Sequence, residues 1–251
     1  MAHATDERGY SISVLFESDD VVVINKPTGV MVHDDGRGGD GTTVVDWLLA
    51  RAPKARGVGE ESYAPNGTRL ERSGVVHRLD RDTSGVMILA KSQEAFVHLK
   101  AQFHDRHAKK EYRAFVYGSM KERWGTVDRP IGRSAKDFRL RSAQRGARGT
   151  LRNAVTDWEC IAQNTEYAYL SIYPKTGRTH QIRVHLKAIG RPVVGDVLYA
   201  PQTLLATHAL GFDRLALHAY ILEIELPNGA TERFVAPLPE VFERAAATLA
   251  G

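Results

Sequence analysis

Pairs of apolar runs joined by short polar turns recur along this chain, and they constrain its fold more than any other feature. The clearest pairs are 12–16 with 21–25, 154–161 with 167–173, and 222–226 with 232–236. The last pair is joined by Pro227-Asn228-Gly229, whose residues favour a tight turn. Strands linked by such turns form antiparallel hairpins, so we expect a hairpin at each of the three places.

Helical periodicity separates these hairpins. Four helices are expected, over 44–51, over 92–107, between Gly177 and Gly190, and over 240–249. Thr43 and Asp46 have the spacing of a capping box for the first helix, and Ser92 can cap the second. We also expect strands at 30–33 and 111–118 and a loop over 53–73. This order predicts an α+β fold with a mixed, mostly antiparallel central sheet flanked by helices.

Composition places the chain among soluble globular proteins. It has 251 residues, of which 43% are apolar and 25% charged. No apolar run approaches the roughly 20 residues that a membrane helix needs, and residues 1–9 lack the apolar core of a signal peptide. The one cysteine, Cys160, lies in an expected strand, so we interpret it as a packed side chain. Because it has no partner for an internal disulfide, a reducing cytoplasm is the expected location.

The stretch 77–85, His-Arg-Leu-Asp-Arg-Asp-Thr-Ser-Gly, combines four formal charges with a turn between two apolar runs. A carboxylate on so short a connection is held by the core on both sides, which is where a rigid scaffold would place a reacting group. Asp80 and Asp82 could form a general acid–base pair, as in glycoside hydrolases, or Asp82 could cap the turn. An ordinary surface turn with Arg–Asp pairs has the same composition.

Positive charge is concentrated in residues 129–152, an Arg-rich arm. This segment holds seven arginines and one lysine against a single aspartate, a net charge of +7, whereas the whole chain has +4. One interpretation is a solvated loop, and the other is a mobile arm that lies along phosphates. The excess of arginine favours forked contacts to phosphate and stacking on bases.

Four short blocks follow one another along the chain. They are His-Arg-Leu-Asp-x-x-Thr-Ser-Gly at 77–85, Lys-x-Tyr at 110–112, Gly-Arg-Thr-His-Gln-Ile-Arg-Val-His at 177–185 and Leu-His-Ala at 217–219. In this order they resemble the RluA-like family of RNA pseudouridine synthases. Segments 23–33 and 190–199 extend the resemblance, which covers about residues 12 to 240.

The resemblance implies a pseudouridine synthase fold with a central catalytic cleft, and an enzyme that isomerises uridine in RNA to its C-glycoside. Asp80 matches the family's catalytic aspartate, which either forms a covalent bond or takes a proton from C2′ to give a glycal. Arg183 matches the arginine that pairs with this aspartate. Tyr112 matches the tyrosine that packs against the target base and is a candidate for removing the C5 proton. Without the resemblance, Tyr112 would be interpreted as a core aromatic and Arg183 as a surface ion pair.

No cofactor and no metal site are expected. An isomerisation needs neither redox nor metal chemistry. His180 and His185 are five residues apart, which separates them by about 140° around a helix, so they cannot easily share a metal ion.

The resemblance also implies an RNA partner, either rRNA or tRNA. The target uridine must leave its stack, which costs a few kcal/mol in paired RNA, and groups around the cleft must supply that free energy. The candidate RNA-binding and substrate-binding residues are Arg78, Arg81, Thr83, Arg178, Thr179, His180, Leu217, Arg139, Arg141 and Arg145.

A single catalytic domain is expected over 12–251, after a flexible tail over 1–11 and without the small N-terminal RNA-binding domain of many relatives. We expect a monomer with no obligate protein partner and no membrane contact. Two alternatives stay open. One is a non-catalytic RNA-binding protein or RNA chaperone on the same fold, against which the intact Asp80, Tyr112 and Arg183 argue. The other is a nucleoside or glycoside hydrolase that uses Asp80 and Asp82.

Overall fold

The computed structural model describes residues 4–5, 11–34, 42–64, 66–137, 140–205 and 209–249. Their strands are β1 (Ala4–Thr5), β2 (Ser11–Glu17), β3 (Val21–Lys26), β4 (Ser62–Tyr63), β5 (Arg69–Leu70), β6 (Ser84–Ala90), β7 (Lys109–Tyr117), β8 (Trp124–Asp128), β9 (Ile131–Arg133), β10 (Arg141–Ser142), β11 (Arg148–Arg152), β12 (Val155–Gln163), β13 (Tyr167–Pro174), β14 (Leu217–Glu225) and β15 (Thr231–Val235). Their α-helices are α1 (Val44–Arg51), α2 (Gln93–His104), α3 (Gln181–Ala188), α4 (Gln202–Leu205) and α5 (Glu240–Leu249). The expected α+β class is confirmed.

The chain divides into two compact units. The first is formed by Met1–Lys109 with Ala219–Pro237, and the second by Lys110–His218 with Leu238–Gly251. Residues 12–251, which were expected to form one domain, contribute to both units. Of the expected tail over 1–11, β1 is a short strand that pairs with the start of β2, and residues 1–3 and 6–10 lie outside the described residues.

The first unit contains a sheet in the order β1-β2-β3-β6-β14, with β15 paired to β14. The β2–β3 and β14–β15 pairs are the antiparallel hairpins expected from the sequence. Strand β6 is buried along its whole length and β3 along nearly all of it, which explains why both are continuous apolar runs. Helices α1 and α2 begin at the predicted caps, a Thr43–Asp46 capping box and Ser92.

The second unit contains a sheet in the order β7-β13-β12-β8, and β12–β13 is the third expected hairpin. Its core is built around Phe115 of β7, which stacks on Tyr169 and contacts Phe212 and Phe242. Phe242 comes from α5, so the closing helix completes this core. Cys160 is buried here, as expected, and burial raises the pKa of its thiol.

The Arg-rich arm was expected to be a loop or a mobile arm, but much of it forms strands. Within 129–152, strands β9, β10 and β11 form a small antiparallel sheet in the order β10-β9-β11, here called the Arg-rich sheet. Ile131 and Ala143 are buried in one cluster with Val184 and Tyr199. A few apolar side chains therefore order the backbone while the arginines stay near the surface. Arg139 lies outside the described residues.

Two other local expectations were wrong. Residues 30–33 are not a strand, because the carbonyls of Met31 and Val32 accept hydrogen bonds from the N–H groups of Val44 and Val45 at the start of α1. The expected loop over 53–73 contains a turn of 3₁₀ helix, Pro53–Ala55, and the β4–β5 hairpin. In both places the backbone forms local hydrogen bonds that hydrophobic patterning does not report.

Gly85, at the start of β6, occupies a position that only glycine fits. Its φ is +119°, and a Cβ there would lie 2.1 Å from the carbonyl oxygen of Ala219. We expect Gly85→Ala to lower the free energy of unfolding by about 3 kcal/mol or more, because it adds a backbone clash to φ strain. Urea denaturation measures the loss.

Gly67→Ala is the matched control. Gly67 also has a positive φ, +84°, but nothing lies within 4 Å of the position that a Cβ would take. This variant carries the φ strain alone, so a loss of about 1 kcal/mol is expected. Equal losses in the two variants would contradict the assignment of a clash at Gly85.

Candidate active site and RNA-binding residues

Asp80 lies on a turn of the first unit, and the segments before and after this turn are both held by the sheet. Val75 forms an isolated bridge with Leu89, and β6 begins at Ser84. Leu79 is buried, and the N–H of Thr83 donates to the carbonyl of Asp80 at 3.2 Å. Asp80 itself is half-buried. The carboxylate therefore projects from a short segment with a fixed backbone, as the sequence predicted.

A buried lysine that the sequence analysis did not select fastens this turn. Lys26, at the end of β3, is 0% exposed. Its Nζ donates to the carbonyls of Pro27 at 2.9 Å, Val30 at 2.7 Å and Arg81 at 2.9 Å. An ammonium group has three N–H donors, and three carbonyl oxygens accept them here. The lysine thereby joins the loop after β3 to the turn that carries Asp80.

Two more hydrogen bonds join the same loop and turn. The Thr28 hydroxyl donates to the carbonyl of Asp82 at 2.8 Å, and the Gly29 N–H donates to the carbonyl of Arg81 at 2.9 Å. The Lys-Pro-Thr-Gly sequence at 26–29 lies within the segment 23–33 that extends the resemblance, but the sequence analysis assigned it no role. Its polar atoms hold consecutive carbonyls of the turn, which explains why the strand stops there.

The remaining candidates on this turn differ in exposure. Arg78 and Arg81 are exposed, and the Nε of Arg81 donates to the Asp82 carboxylate at 3.1 Å. Asp82 thus stabilises the turn with two hydrogen bonds, since its carbonyl accepts one from Thr28 and its carboxylate accepts one from Arg81. Thr83 is 2% exposed, so it offers little surface to an RNA.

Tyr112 and Leu217 lie in the second unit, next to or within its core. Tyr112 is in β7, opposite Ile172 of β13, and it is partly buried against the core. Leu217 begins β14, is 3% exposed and belongs to the core cluster. Leu217 therefore packs as a core residue, and Tyr112 combines a packed ring with partial exposure.

Arg183 is a buried residue of α3, not a surface ion pair. It is 3% exposed, and its Nε and Nη2 donate to the two carboxylate oxygens of Asp196 at 2.8 and 2.7 Å. Its guanidinium carbon lies 5.0 Å from the ring centroid of Tyr199. A forked pair of this kind fixes the plane of the guanidinium group. The sequence analysis selected neither Asp196 nor Tyr199, although both belong to the 190–199 segment that extends the resemblance.

Gln181 fixes the turn ahead of α3. Its Oε1 accepts hydrogen bonds from the Thr176 hydroxyl at 2.7 Å and the Arg178 N–H at 3.0 Å. Its Nε2 donates to the Val155 carbonyl and the Thr156 hydroxyl, both at 3.0 Å. All four contacts of this buried amide are satisfied, so the backbone that carries Arg178 and Thr179 is held rigidly.

The two histidines of this block have separate local roles. The Nδ1 of His180 lies 2.6 Å from the Tyr199 hydroxyl. His185 is buried, with Nδ1 bonded to the Thr156 hydroxyl at 2.9 Å and Nε2 to the Arg129 carbonyl at 3.0 Å. Burial lowers the pKa of His185, which favours the neutral ring. Across the described ranges, no group of three or more potential metal ligands occurs.

Four arginines of the second unit line one groove of about 330 Å³: Arg133, Arg141, Arg152 and Arg178. The groove also contains Thr150 and Thr179. Of the predicted RNA-binding residues, it therefore brings together Arg141, Arg178 and Thr179. Its described lining does not include Arg145, which is exposed elsewhere on the same segment. Arg133 and Arg152 were not selected from the sequence.

Residues 20–188 match the family described as RNA pseudouridylate synthase, which is more than half of the chain. The chain belongs to this family. It is 40% identical to the ribosomal large subunit pseudouridine synthase D of Xanthomonas campestris pv. campestris, covering 93% of this chain and 68% of that protein. It is 38% identical to an RNA pseudouridine synthase of Synechocystis sp., covering 93% and 67%.

Solved structures show the same fold. Human RNA pseudouridylate synthase domain containing 4 matches with a TM-score of 0.69 and 26% identity, over 94% of this chain and 92% of that one. The family and its named relatives make this enzyme an isomerase that converts uridine in RNA to pseudouridine. Among the described helices, none is long and apolar enough to cross a membrane.

Lys26→Met tests whether the buried ammonium group positions the Asp80 turn. The variant keeps an apolar stem but leaves three carbonyls without their donor, so we expect a loss of about 3 kcal/mol in the free energy of unfolding. We also expect turnover to fall about 10²-fold, because Asp80 matches the family's catalytic aspartate and small displacements of a reacting group are costly. Urea denaturation and product formation, measured where the variant is folded, check both effects.

Lys91→Met provides the comparison. Lys91 is a second buried lysine of the same unit, bonded to Glu17 at 3.0 Å and the Ser18 carbonyl at 2.6 Å, away from the 80–83 turn. It should lose stability while keeping its turnover. Similar turnover in the two variants would argue against a positioning role for Lys26.

Proposed function

We propose that this enzyme isomerises uridine in large-subunit ribosomal RNA, with Asp80 as its catalytic carboxylate. The bond between N1 of uracil and C1′ of ribose breaks, the base rotates, and a bond forms between C5 and C1′. Asp80 begins the reaction, either by covalent attack or by taking the C2′ proton. In this proposal Arg183 is the arginine that favours the ionised form of Asp80, as the resemblance implies, and Tyr112 packs against the base and accepts the C5 proton.

The observation that carries the assignment of Asp80 is the fastening of its turn. Lys26, Thr28 and Gly29 together hold the backbone carbonyls of Arg81 and Asp82. A surface turn with ordinary Arg–Asp pairs has no need of a fully buried ammonium group beneath it. Such support is what a reacting group requires, since its position must be held closely.

The geometry of Arg183 supports its role as a fixed cation. The forked contact with Asp196 and the ring of Tyr199 hold the guanidinium group in one plane. A cation held near a carboxylate favours the ionised form that either chemical route needs. Tyr112 fits its role because its ring is supported by the core and is only partly buried.

The choice of ribosomal RNA rests on the relatives. The Xanthomonas protein, at 40% identity, and several others with 34–36% identity are named ribosomal large subunit pseudouridine synthase D. A tRNA substrate is the second candidate from the sequence analysis. Mapping pseudouridine in rRNA and tRNA from cells with and without the gene separates the two.

Asp80→Asn is expected to lower product formation by about 10³-fold or more, because the amide can neither attack nor accept the proton. RNA affinity should change little. Release of tritium from RNA labelled at uridine C5 measures the reaction, since that proton leaves when the new bond forms. Asp82→Asn is the control and should retain most of the activity.

Substantial turnover by Asp80→Asn would overturn the assignment of the catalytic residue. Release of free uracil by the unchanged enzyme would instead indicate a hydrolase. RNA binding without any product from rRNA or tRNA would indicate a non-catalytic RNA-binding protein.

Tyr112→Phe is expected to keep RNA binding and to reduce turnover by about 10²-fold or more, because it lacks the hydroxyl that accepts the C5 proton. Tyr167→Phe, in the neighbouring strand β13, removes a phenol hydroxyl from the same unit and should leave turnover unchanged. Single-turnover rates at saturating RNA separate chemistry from binding. Normal turnover by Tyr112→Phe would exclude its hydroxyl as the base.

A further inference from the structure

We infer that the groove lined by Arg133, Arg141, Arg152 and Arg178 binds consecutive phosphate groups of the RNA strand. This rests on the proposed function in that the bound polyanion is the RNA substrate. The contact is to the backbone and is independent of sequence. The groove is thus a binding site within one unit, and it contains none of the residues proposed for the chemistry.

The charge of the groove is the first argument. Each strand of the Arg-rich sheet contributes one guanidinium group to it, and the turn ahead of α3 contributes the fourth. None of the described residues that line it is acidic. Thr150 and Thr179 add hydroxyl groups, which can donate to phosphate oxygens. Guanidinium groups match phosphate oxygens in pairs, so this set of side chains suits phosphodiesters.

The register of the Arg-rich sheet is the second argument. Arg133 and Arg141 are direct partners in the antiparallel pair β9–β10. Direct partners in an antiparallel pair project from the same face of the sheet. The pairing therefore places both arginines where they can contact neighbouring phosphates of one RNA strand.

The rigidity of the two walls is the third argument. The N–H of Arg141 donates to the Tyr199 hydroxyl at 3.0 Å, and the Nε of Arg178 donates to the Asn153 carbonyl at 3.1 Å. The Arg178 N–H is held by Gln181. Because the backbone at Arg141 and Arg178 and the side chain of Arg178 are held before binding, less conformational entropy is lost when RNA binds.

The second unit supplies a control outside the Arg-rich sheet. Arg123 and Arg244 are exposed, the described lining of the groove does not include them, and neither is a predicted RNA-binding residue. Replacing either pair of arginines by glutamine lowers the net charge by the same amount. A general effect of charge would therefore weaken RNA binding equally in the two double variants. A specific contact in the groove would weaken it only in the groove variant.

The test compares Arg141→Gln/Arg152→Gln with Arg123→Gln/Arg244→Gln in the full chain. The probes are a short fluorescein-labelled single-stranded RNA and an unmodified transcript of large-subunit rRNA, titrated over a range of KCl concentrations. For the groove variant we expect a Kd weaker on the order of tenfold and a log–log salt slope shallower by about 1.4, from two lost contacts to single-stranded RNA. The control variant should change either quantity much less.

Equal changes in the two variants, or none in the groove variant, would overturn the inference. In the tritium-release assay, the groove variant should reach the normal single-turnover rate at saturating RNA, with half-saturation shifted to higher RNA concentration. Asp80→Asn should keep the normal Kd and salt slope. An active Asp80→Asn variant would therefore refute the catalytic assignment but leave the inference about the groove intact. A groove variant with normal RNA binding would refute the inference about the groove but leave the catalytic assignment intact.

Discussion

The hydrogen bonds of one buried ammonium group, that of Lys26, fix the position of the turn that carries Asp80. Burying a charged amine costs several kcal/mol unless its donors are satisfied, and Lys26 meets this condition by binding three carbonyls. Two of those carbonyls belong to the loop that follows its own strand, and the third belongs to the Asp80 turn. The loop and the turn are therefore held to a common centre. The positions of Thr28 and Gly29, which bind the same turn, depend on this arrangement.

In the second unit, too, buried polar groups with satisfied hydrogen bonds hold a site in place, but the groups are a guanidinium and an amide. Arg183 is buried with Asp196, and Gln181 is buried with four hydrogen-bond partners. Removing one member of a buried ion pair is costly because it leaves the other charge uncompensated. The polar groups of the interior thus maintain one geometry at the start of α3. The arginines of the Arg-rich sheet have a different proposed role, since charge near solvent contributes to the binding of a polyanion more than to stability.

Local signals explain what the sequence could predict. The three hairpins, the caps at Thr43 and Ser92 and the bounds of the closing helix, 240–249, all depend on residues close together in the chain. The Arg-rich sheet could not be predicted because Ile131 and Ala143 are too sparse to show a period, and their partners Val184 and Tyr199 come much later in sequence. The resemblance selected Asp80, Tyr112 and Arg183. Lys26 and Asp196 have no local pattern that reveals their partners.

Within the second unit, the side chain of Tyr199 connects the groove to α3. Its hydroxyl accepts a hydrogen bond from the N–H of Arg141 and contacts the Nδ1 of His180, while its ring lies beneath the guanidinium group of Arg183. One side chain therefore contacts the Arg-rich sheet, the residue before α3 and the buried arginine of that helix. An RNA strand held in the groove would be bound by a wall whose backbone is tied, through a single ring, to Arg183. Because this connection is made of packed and hydrogen-bonded groups, it transmits position through rigidity and requires no conformational change on binding.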